Sequence, residues 1–256
     1  MITTEQIKQL RDSTGVSVMQ CKKALEEAEG NMEKALMILK KKSSEIAAKK
    51  SDREASQGMV VVAKQPGKAA MLVLNCETDF VAQNDDFTGL AKELAEMALT
   101  KDVETIRTEA AQKISEVVQK VGENVQLGNV KEVSGDVLGS YVHNNKIGVI
   151  VSLTGGDEVL AKDLAMHIAA MNPEYTVRTD IPEEKRALAH ELFSKEVAAS
   201  DKPEDIKAKM LQGKIDGYFK EQTLMDQSFF KDTNTTIENL LKSKNATLVA
   251  FTRFAI

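Results

Sequence analysis

The sequence predicts an α+β protein, and three observations predict it: glycine-punctuated amphipathic helices over the first fifty residues, β-prone runs alternating with helical patterns through the middle, and two long charged helices beyond Pro182. With 256 residues, 42% of them apolar and 29% charged, the chain has the composition of an ordinary globular protein of about two domains.

The first element group, Thr3 to Lys50, reads as three helices. Thr3-x-x-Gln6 and Ser17-x-x-Gln20 fit capping boxes, Asn31 fits an N-cap, and Thr14-Gly15 and Gly30-Asn31 supply the breaks. Ile7, Leu10, Val18, Cys21, Leu25, Ala28, Ala35, Leu36 and Leu39 recur at helical spacing and give each helix one face to bury. Ser51 to Gln57 is polar and aperiodic, a linker or frayed helix end.

Met59 to Ala63 and Ala69 to Cys76 are β-prone and pair as a hairpin across Gln65-Pro66-Gly67-Lys68; helical patterns follow over Phe87 to Leu99 and Val103 to Val121. The same order then recurs, with strands at Val137 to His143 and Ile147 to Leu153 joined by Asn144-Asn145, and a helix from Asp157 to Met171. Setting Lys68-Ala-Ala-Met-Leu-Val over Lys146-Ile-Gly-Val-Ile-Val and Leu90-Ala-Lys-Glu-Leu-Ala over Leu160-Ala-Lys-Asp-Leu-Ala gives two copies of a β-β-α unit. Lys68 and Leu90 are 22 residues apart and Lys146 and Leu160 only 14, so the first copy holds eight more, within Cys76 to Phe87. A loop longer than the scaffold requires is a natural place for function.

Beyond Pro182, Glu183 to Ala199 and Pro203 to Glu221 form two antiparallel helices across the turn Ser200-Asp-Lys-Pro203. Their narrow seams, Leu188, Leu192, Val197 and Ile206, Met210, Ile215, Phe219, suit packing against one another. A short helix over Thr236 to Lys244 and a strand over Ala246 to Ile256 complete the second sheet. The expected domains are 1–54, a three-helix module; 55–135, the first part of the core; 136–182 with 225–256, the second part; and 183–224, a helical hairpin inserted into it.

Several chemistries lack their residues. Gly67-Lys68 is preceded by Val62 where a phosphate loop needs glycine and followed by Ala69 where it needs Ser or Thr. His143, His167 and His190 are isolated in sequence, so no metal or other cofactor is expected. Cys76, Glu77 and Asp79 cluster at a strand end, where a nucleophile could sit, but no histidine is near in sequence to activate the thiol. Cys21 and Cys76 form neither a disulfide framework nor a zinc set and read as small buried hydrophobes. No run approaches the roughly 18 apolar residues of a membrane span, and Met1 to Gln6 lack signal or transit character, so a cytoplasmic protein is expected.

The net charge is −5, of which the first fifty residues carry +3, from ten Lys/Arg against seven Asp/Glu. Lys40, Lys41, Lys42, Lys49 and Lys50 have no interleaved aromatics, and a solvated helix face fits them better than a nucleic-acid stripe.

Five blocks in order resemble the elongation factor Ts family over nearly the whole chain: Thr14-Gly15 with Cys21-Lys-Lys-Ala-Leu25; Asn75-Cys-Glu-Thr-Asp-Phe-Val-Ala82; Gly122-Glu-Asn124; Gly135-Asp-Val-Leu-Gly-Ser-Tyr141 with His143; and Ala165-Met-His-Ile-Ala169. The resemblance implies a ubiquitin-associated-like three-helix module, a two-part α+β core and a coiled-coil protrusion. It also implies a partner, elongation factor Tu in its GDP-bound and nucleotide-free forms, a homodimer within a heterotetramer being allowed. The role it implies is guanine nucleotide exchange during translation, with no catalytic residues. By motif match, Asp79 and Phe80, flanked by Thr78 and Val81, push into the partner near its magnesium and nucleotide.

Lys22, Lys50, Val121, Gly122, His143 and Phe230 align with further contacts of that family, while Lys231 departs from an apolar pair. The chain stops at Ile256, where longer members continue into a C-terminal helix, which implies weaker or differently distributed binding. Two alternatives stand beside this reading. Phe80 could pack beneath its own loop, and the three-helix module could serve an adaptor or nascent-chain binding protein.

Overall fold

The computed structural model describes residues 2–256. Its first three helices are α1 (Thr4–Thr14), α2 (Val18–Glu27) and α3 (Met32–Lys50). Thr3 and Gln6 form the reciprocal capping box on α1, Ser17 accepts the Gln20 amide at the start of α2, and Asn31 accepts the Lys34 amide at the start of α3. Leu10, Val16, Cys21, Ala24, Leu25, Ala28, Ala35 and Leu39 form the module's core.

Val18 and Leu36, expected on buried faces, are exposed. The place of Val18 is taken by Val16, which precedes the N-cap and packs with Cys21 as a hydrophobic staple. On α3 the buried line runs Ala35, Leu39, Ser43, and Leu36 lies one residue off it. The far end of α3 outlasts the module: Ile46 and Ala47 pack against the core that follows.

That core is a sheet of order β1-β2-β3, formed by β1 (Gln57–Gln65), β2 (Lys68–Cys76) and β3 (Val125–Ser134), covered by α5 (Asp85–Met97) and α6 (Val103–Val121). The β1–β2 register runs from Gln57 opposite Cys76 to Gln65 opposite Lys68, so Pro66 and Gly67 make the two-residue corner. Leu72, Leu74, Phe87, Leu94, Ile106 and Val118 are among its buried residues. Strand β3 is an addition to the sequence reading. Its Gly128-Asn129 interrupts the alternation of side chains, and there the β2–β3 register shifts, Leu72 facing Val130 but Leu74 facing Leu127.

The second half repeats the order. Strands β4 (Val137–His143) and β5 (Ile147–Thr154) are joined through Asn144 and Asn145, both left-handed at φ +49° and +56° as a tight hairpin turn requires, and helix α7 (Glu158–Met171) follows. Strand β8 (Thr247–Ala255) completes a sheet of order β4-β5-β8. A Cβ on Gly139 would lie 2.1 Å from the Ala161 carbonyl carbon, so β4 and α7 meet backbone to backbone there. His167 on α7 is fully buried; its Nε2 lies 2.9 Å from Gln227 Oε1, and its ring lies among Phe229 and Phe230.

Helices α8 (Glu183–Ala198) and α9 (Glu204–Gln222) pack together as a hairpin. The seam differs from the sequence expectation: Ala189, Phe193, Ile215 and Phe219 lie in one cluster with Ile181, and Val197 is buried, while Leu188 and Leu192 are 53% and 57% exposed. The small Ala189 permits close approach, and the Phe193 ring meets Tyr218 edge-on at 5.6 Å, which turns the two leucines outward. A small hairpin, β6 (Ser228–Phe229) and β7 (Asp232–Thr236), precedes α10 (Ile237–Ser243). Its strands, of two and five residues, are too short to carry a periodic signal.

By compactness the chain falls into two units, one of residues up to Ser134 with Val142–Gly148 and Phe254–Ile256, the other of Gly135–Tyr141 with Val149–Arg253. Two predictions follow from the second. Gly139→Ala forces β4 off α7 and is expected to cost at least about 3 kcal/mol, read from the urea midpoint by circular dichroism. Burial holds the His167 pKa below its ordinary 6.5, against the opposing Gln227 hydrogen bond. The unfolded chain therefore binds the proton more readily: this contribution to stability is complete above the unfolded pKa and is lost as pH falls through the folded one. Thermal melts from about pH 7.5 to 5 should show a steeper fall in Tm for the wild type than for His167→Gln.

Candidate functional site

Strand β2 ends at Cys76, and residues 77–84 lead to α5; the equivalent connection from β5 to α7 is only residues 155–157. The surplus contains α4 (Asp79–Ala82), a single helical turn. Thr78 caps it, its hydroxyl oxygen accepting the Val81 amide at 3.4 Å, and Asp79 puts negative charge in the first turn, where the helix dipole favours it. Val81 is buried against the core, whereas Phe80 is 83% exposed. The choice left open by the sequence resolves here: Phe80 projects into solvent and does not pack beneath its own loop.

One isolated turn cannot stabilise itself. Its hold comes from the junction of α6 and β3. Glu123 accepts the Thr78 amide at 3.0 Å through Oε2 and the Thr78 hydroxyl at 2.7 Å through Oε1. Glu77 Oε1 accepts the Asn124 amide at 2.6 Å, and the Cys76 thiol donates to the Thr78 carbonyl at 3.1 Å. At the far end of the loop Asn84 caps α5, and Lys120 binds Asp86 at 2.6 Å.

The junction turns because Gly122 is left-handed, φ +78°, and its amide closes α6 onto the Val118 carbonyl at 2.9 Å. The Gly122 carbonyl in turn accepts Lys50 Nζ from the end of α3. Buried Asn124 donates to the carbonyls of Ser51 at 3.3 Å and Arg53 at 2.7 Å, and Gln119 bonds Gln20 at 2.9 Å. The Thr14-Gly15 turn lies against the Lys120 side chain, so any Cβ on Gly15 would stand 3.1 Å from its Cε. The three-helix module, the projecting turn and the sheet are thus joined at one place.

Burial, and next the charge of Glu123, push the Cys76 thiol up to about 11, and burial also raises Cys21. Cys76 is therefore protonated at neutral pH and serves as a hydrogen-bond donor; a thiolate nucleophile is not formed there. Among the described residues, no group of three or more His, Cys, Asp or Glu could hold a metal ion, and no helix is long and apolar enough to cross a membrane.

Of the residues singled out from the sequence, Thr78, Asp79, Phe80 and Val81 form the projection, and Lys50, Val121 and Gly122 are tied to it through the junction. Lys22 is exposed on α2, 3.8 Å from Glu26. His143 is exposed at the β4–β5 turn, whose Asn145 carbonyl accepts the Val60 amide at 2.7 Å. Phe230, 39% exposed, stands at the β6–β7 turn against Phe229; Lys231 Nζ lies 5.7 Å from its ring and binds Asp163 at 2.7 Å. Sequence reasoning did not single out Glu123 as a site residue. Its signal was a carboxylate immediately after a helix-ending glycine.

The fold and site define a mixed α and β protein whose most exposed aromatic rides on a braced turn. A family model described as elongation factor TS matches residues 77–256. Elongation factor Ts of Pseudoalteromonas atlantica is 40% identical over 264 residues, spanning 100% of this chain and 91% of that protein. Those of Hydrogenovibrio crunogenus and Hahella chejuensis are each 39% identical, over 268 and 262 residues, with 100% of this chain and 91% and 92% of theirs covered. The chain belongs to the elongation factor Ts family.

Because Phe80 buries little at home, Phe80→Ala should leave the thermal midpoint nearly unchanged, within about 0.5 kcal/mol of wild-type stability. Differential scanning calorimetry of the two proteins checks this.

Proposed function

We propose that this protein is a guanine nucleotide exchange factor, not an enzyme, that binds elongation factor Tu carrying GDP and promotes release of the nucleotide during translation. The observation that carries this reading is the exposure of Phe80 on a turn fixed at both ends. An aromatic ring exposed in the free protein gains apolar burial by entering a partner. Placed beside the partner's magnesium, it gains that burial at the cost of the metal's near-octahedral geometry, which tolerates little distortion. Asp79 brings a carboxylate to the same place and competes for the cation and donors that hold the diphosphate. Linkage then requires GDP to weaken binding of the exchange factor by the same factor.

Accelerating release about ten-thousand-fold takes roughly 5.5 kcal/mol. Burying one Phe side chain supplies about 1.5–3 kcal/mol, so further contacts must take part. Lys22, Lys50, Val121, Gly122, His143 and Phe230 are the further contact residues in this reading. Val18, Met19, Leu36 and Met37, all exposed on the three-helix module, offer further apolar surface. At Phe230 the methylenes of Lys231 stand where the family has a second apolar residue.

The same reading takes residues 1–54 as a ubiquitin-associated-like module and the α8–α9 hairpin as a coiled-coil protrusion within 183–224. It divides the core at residue 135, places the protein in the cytoplasm and allows a homodimer within a heterotetramer with the partner.

The test is release of fluorescent GDP from elongation factor Tu of the same cell. A catalytic amount of this protein is expected to accelerate release by orders of magnitude, and Phe80→Ala to lose at least about tenfold of that effect, the loss of some 1.4 kcal/mol. No acceleration by the intact protein ends the proposal.

A further inference from the structure

The projecting turn has little of its own to hold it in one direction. Within α4 and its caps, the Ala82 amide reaches the Thr78 carbonyl at 3.2 Å and the Gln83 amide the Phe80 carbonyl at 3.3 Å, both long, and only the Asn84 amide, on the Val81 carbonyl at 3.0 Å, makes a bond of ordinary length. Asp79 and Phe80 are exposed, and of the four residues of α4 only Val81 is buried. The direction of the Phe80 ring is therefore decided by what fixes Thr78.

Every polar group of Thr78 is engaged, and one side chain engages two of them. Glu123 accepts both its amide, at 3.0 Å, and its hydroxyl, at 2.7 Å. This has a consequence for the cap. With its only hydroxyl proton committed to Glu123, the Thr78 oxygen can turn nothing but lone pairs toward the Val81 amide, the polarity an N-cap requires. An ionised carboxylate that accepts two hydrogen bonds is also stronger and more directional than a neutral acceptor. Glu123 follows left-handed Gly122, so its backbone is anchored by the end of α6.

We infer that Glu123 is a positioning residue for nucleotide exchange: its carboxylate sets the direction in which Phe80 projects, and it acts through Thr78 alone. The inference rests on the exchange reading above. Its test is a double-mutant cycle on GDP release at saturating exchange factor, with the full chain. Glu123→Gln can accept through only one of its two side-chain atoms, and Thr78→Val keeps the shape of the residue but removes the hydroxyl.

Each is expected to lower the maximal release rate roughly tenfold, since small misplacement of an acting group costs factors of this order and more. Thr78→Ser, which restores the hydroxyl, is expected to stay within about twofold of wild type, and Glu123→Gln added to Phe80→Ala to cost less than about twofold further. Equal losses from Glu123→Gln with and without Phe80, or a wild-type rate for Glu123→Gln, overturn the inference. A wild-type rate for Phe80→Ala sinks the tip mechanism, and with it the route by which Glu123 acts.

Amide hydrogen exchange needs no partner and stands apart from the exchange reading. Glu123→Gln should speed exchange at Thr78 and Val81 at least about tenfold and leave the strand amides of β2 unchanged. Unchanged protection at Thr78 and Val81 overturns the clamp, whatever becomes of the GDP assay. Uniformly faster exchange throughout β2 shows a general loosening and overturns it as well.

Discussion

The tie between the three-helix module, the projecting turn and the sheet of the first unit depends on the turn at Lys120 to Asn124. A left-handed glycine stops α6 and reverses the chain into β3, and in doing so it concentrates polar groups that point three ways. Lys120 and Glu123 hold the two ends of the projecting loop, the Gly122 carbonyl receives the end of α3, and Asn124 receives the linker. A surface ion pair alone is weak, but here one ion pair and several hydrogen bonds converge on one short segment whose backbone is already fixed. The three-helix module and the tip thus share one anchoring segment.

The tip itself violates the usual economy of a fold. A phenylalanine exposed over most of its surface contributes almost nothing to its own protein, and a one-turn helix is among the least stable elements a chain can make. Both are tolerated because the surrounding sheet and helices do not need residues 77–84: the second copy reaches from strand to helix in residues 155–157. Stability comes mainly from the scaffold, to which buried Val81 still contributes, and exposure from the tip of the insertion.

Much of this was legible in the sequence. Helix α6 spans Val103 to Val121 and β4 spans Val137 to His143, the bounds that periodicity gives, and the capping residues Thr3, Ser17 and Asn31 all cap. The surplus of the first copy pointed to the projecting loop by length alone. What escaped was non-local. Strand β3 has no clean alternation because its Gly128 bulge breaks it, the exposed faces of Leu188 and Leu192 are fixed by the neighbouring helix, and Glu123 acquires its role only when Thr78, 45 residues away, arrives beside it. Val18 was misplaced for a simpler reason: a staple residue outside the helix filled the position its periodicity promised.

The order of strands in the second sheet bears on how the molecule comes into being. Strand β8 lies next to β5, which is made about a hundred residues earlier, and the amide of Ile256 closes on the Lys146 carbonyl at 3.0 Å. Such distant pairing is slow to find. The edge of β5 therefore stays bare until about a hundred further residues have been made, so the second sheet is among the later parts of the molecule to close.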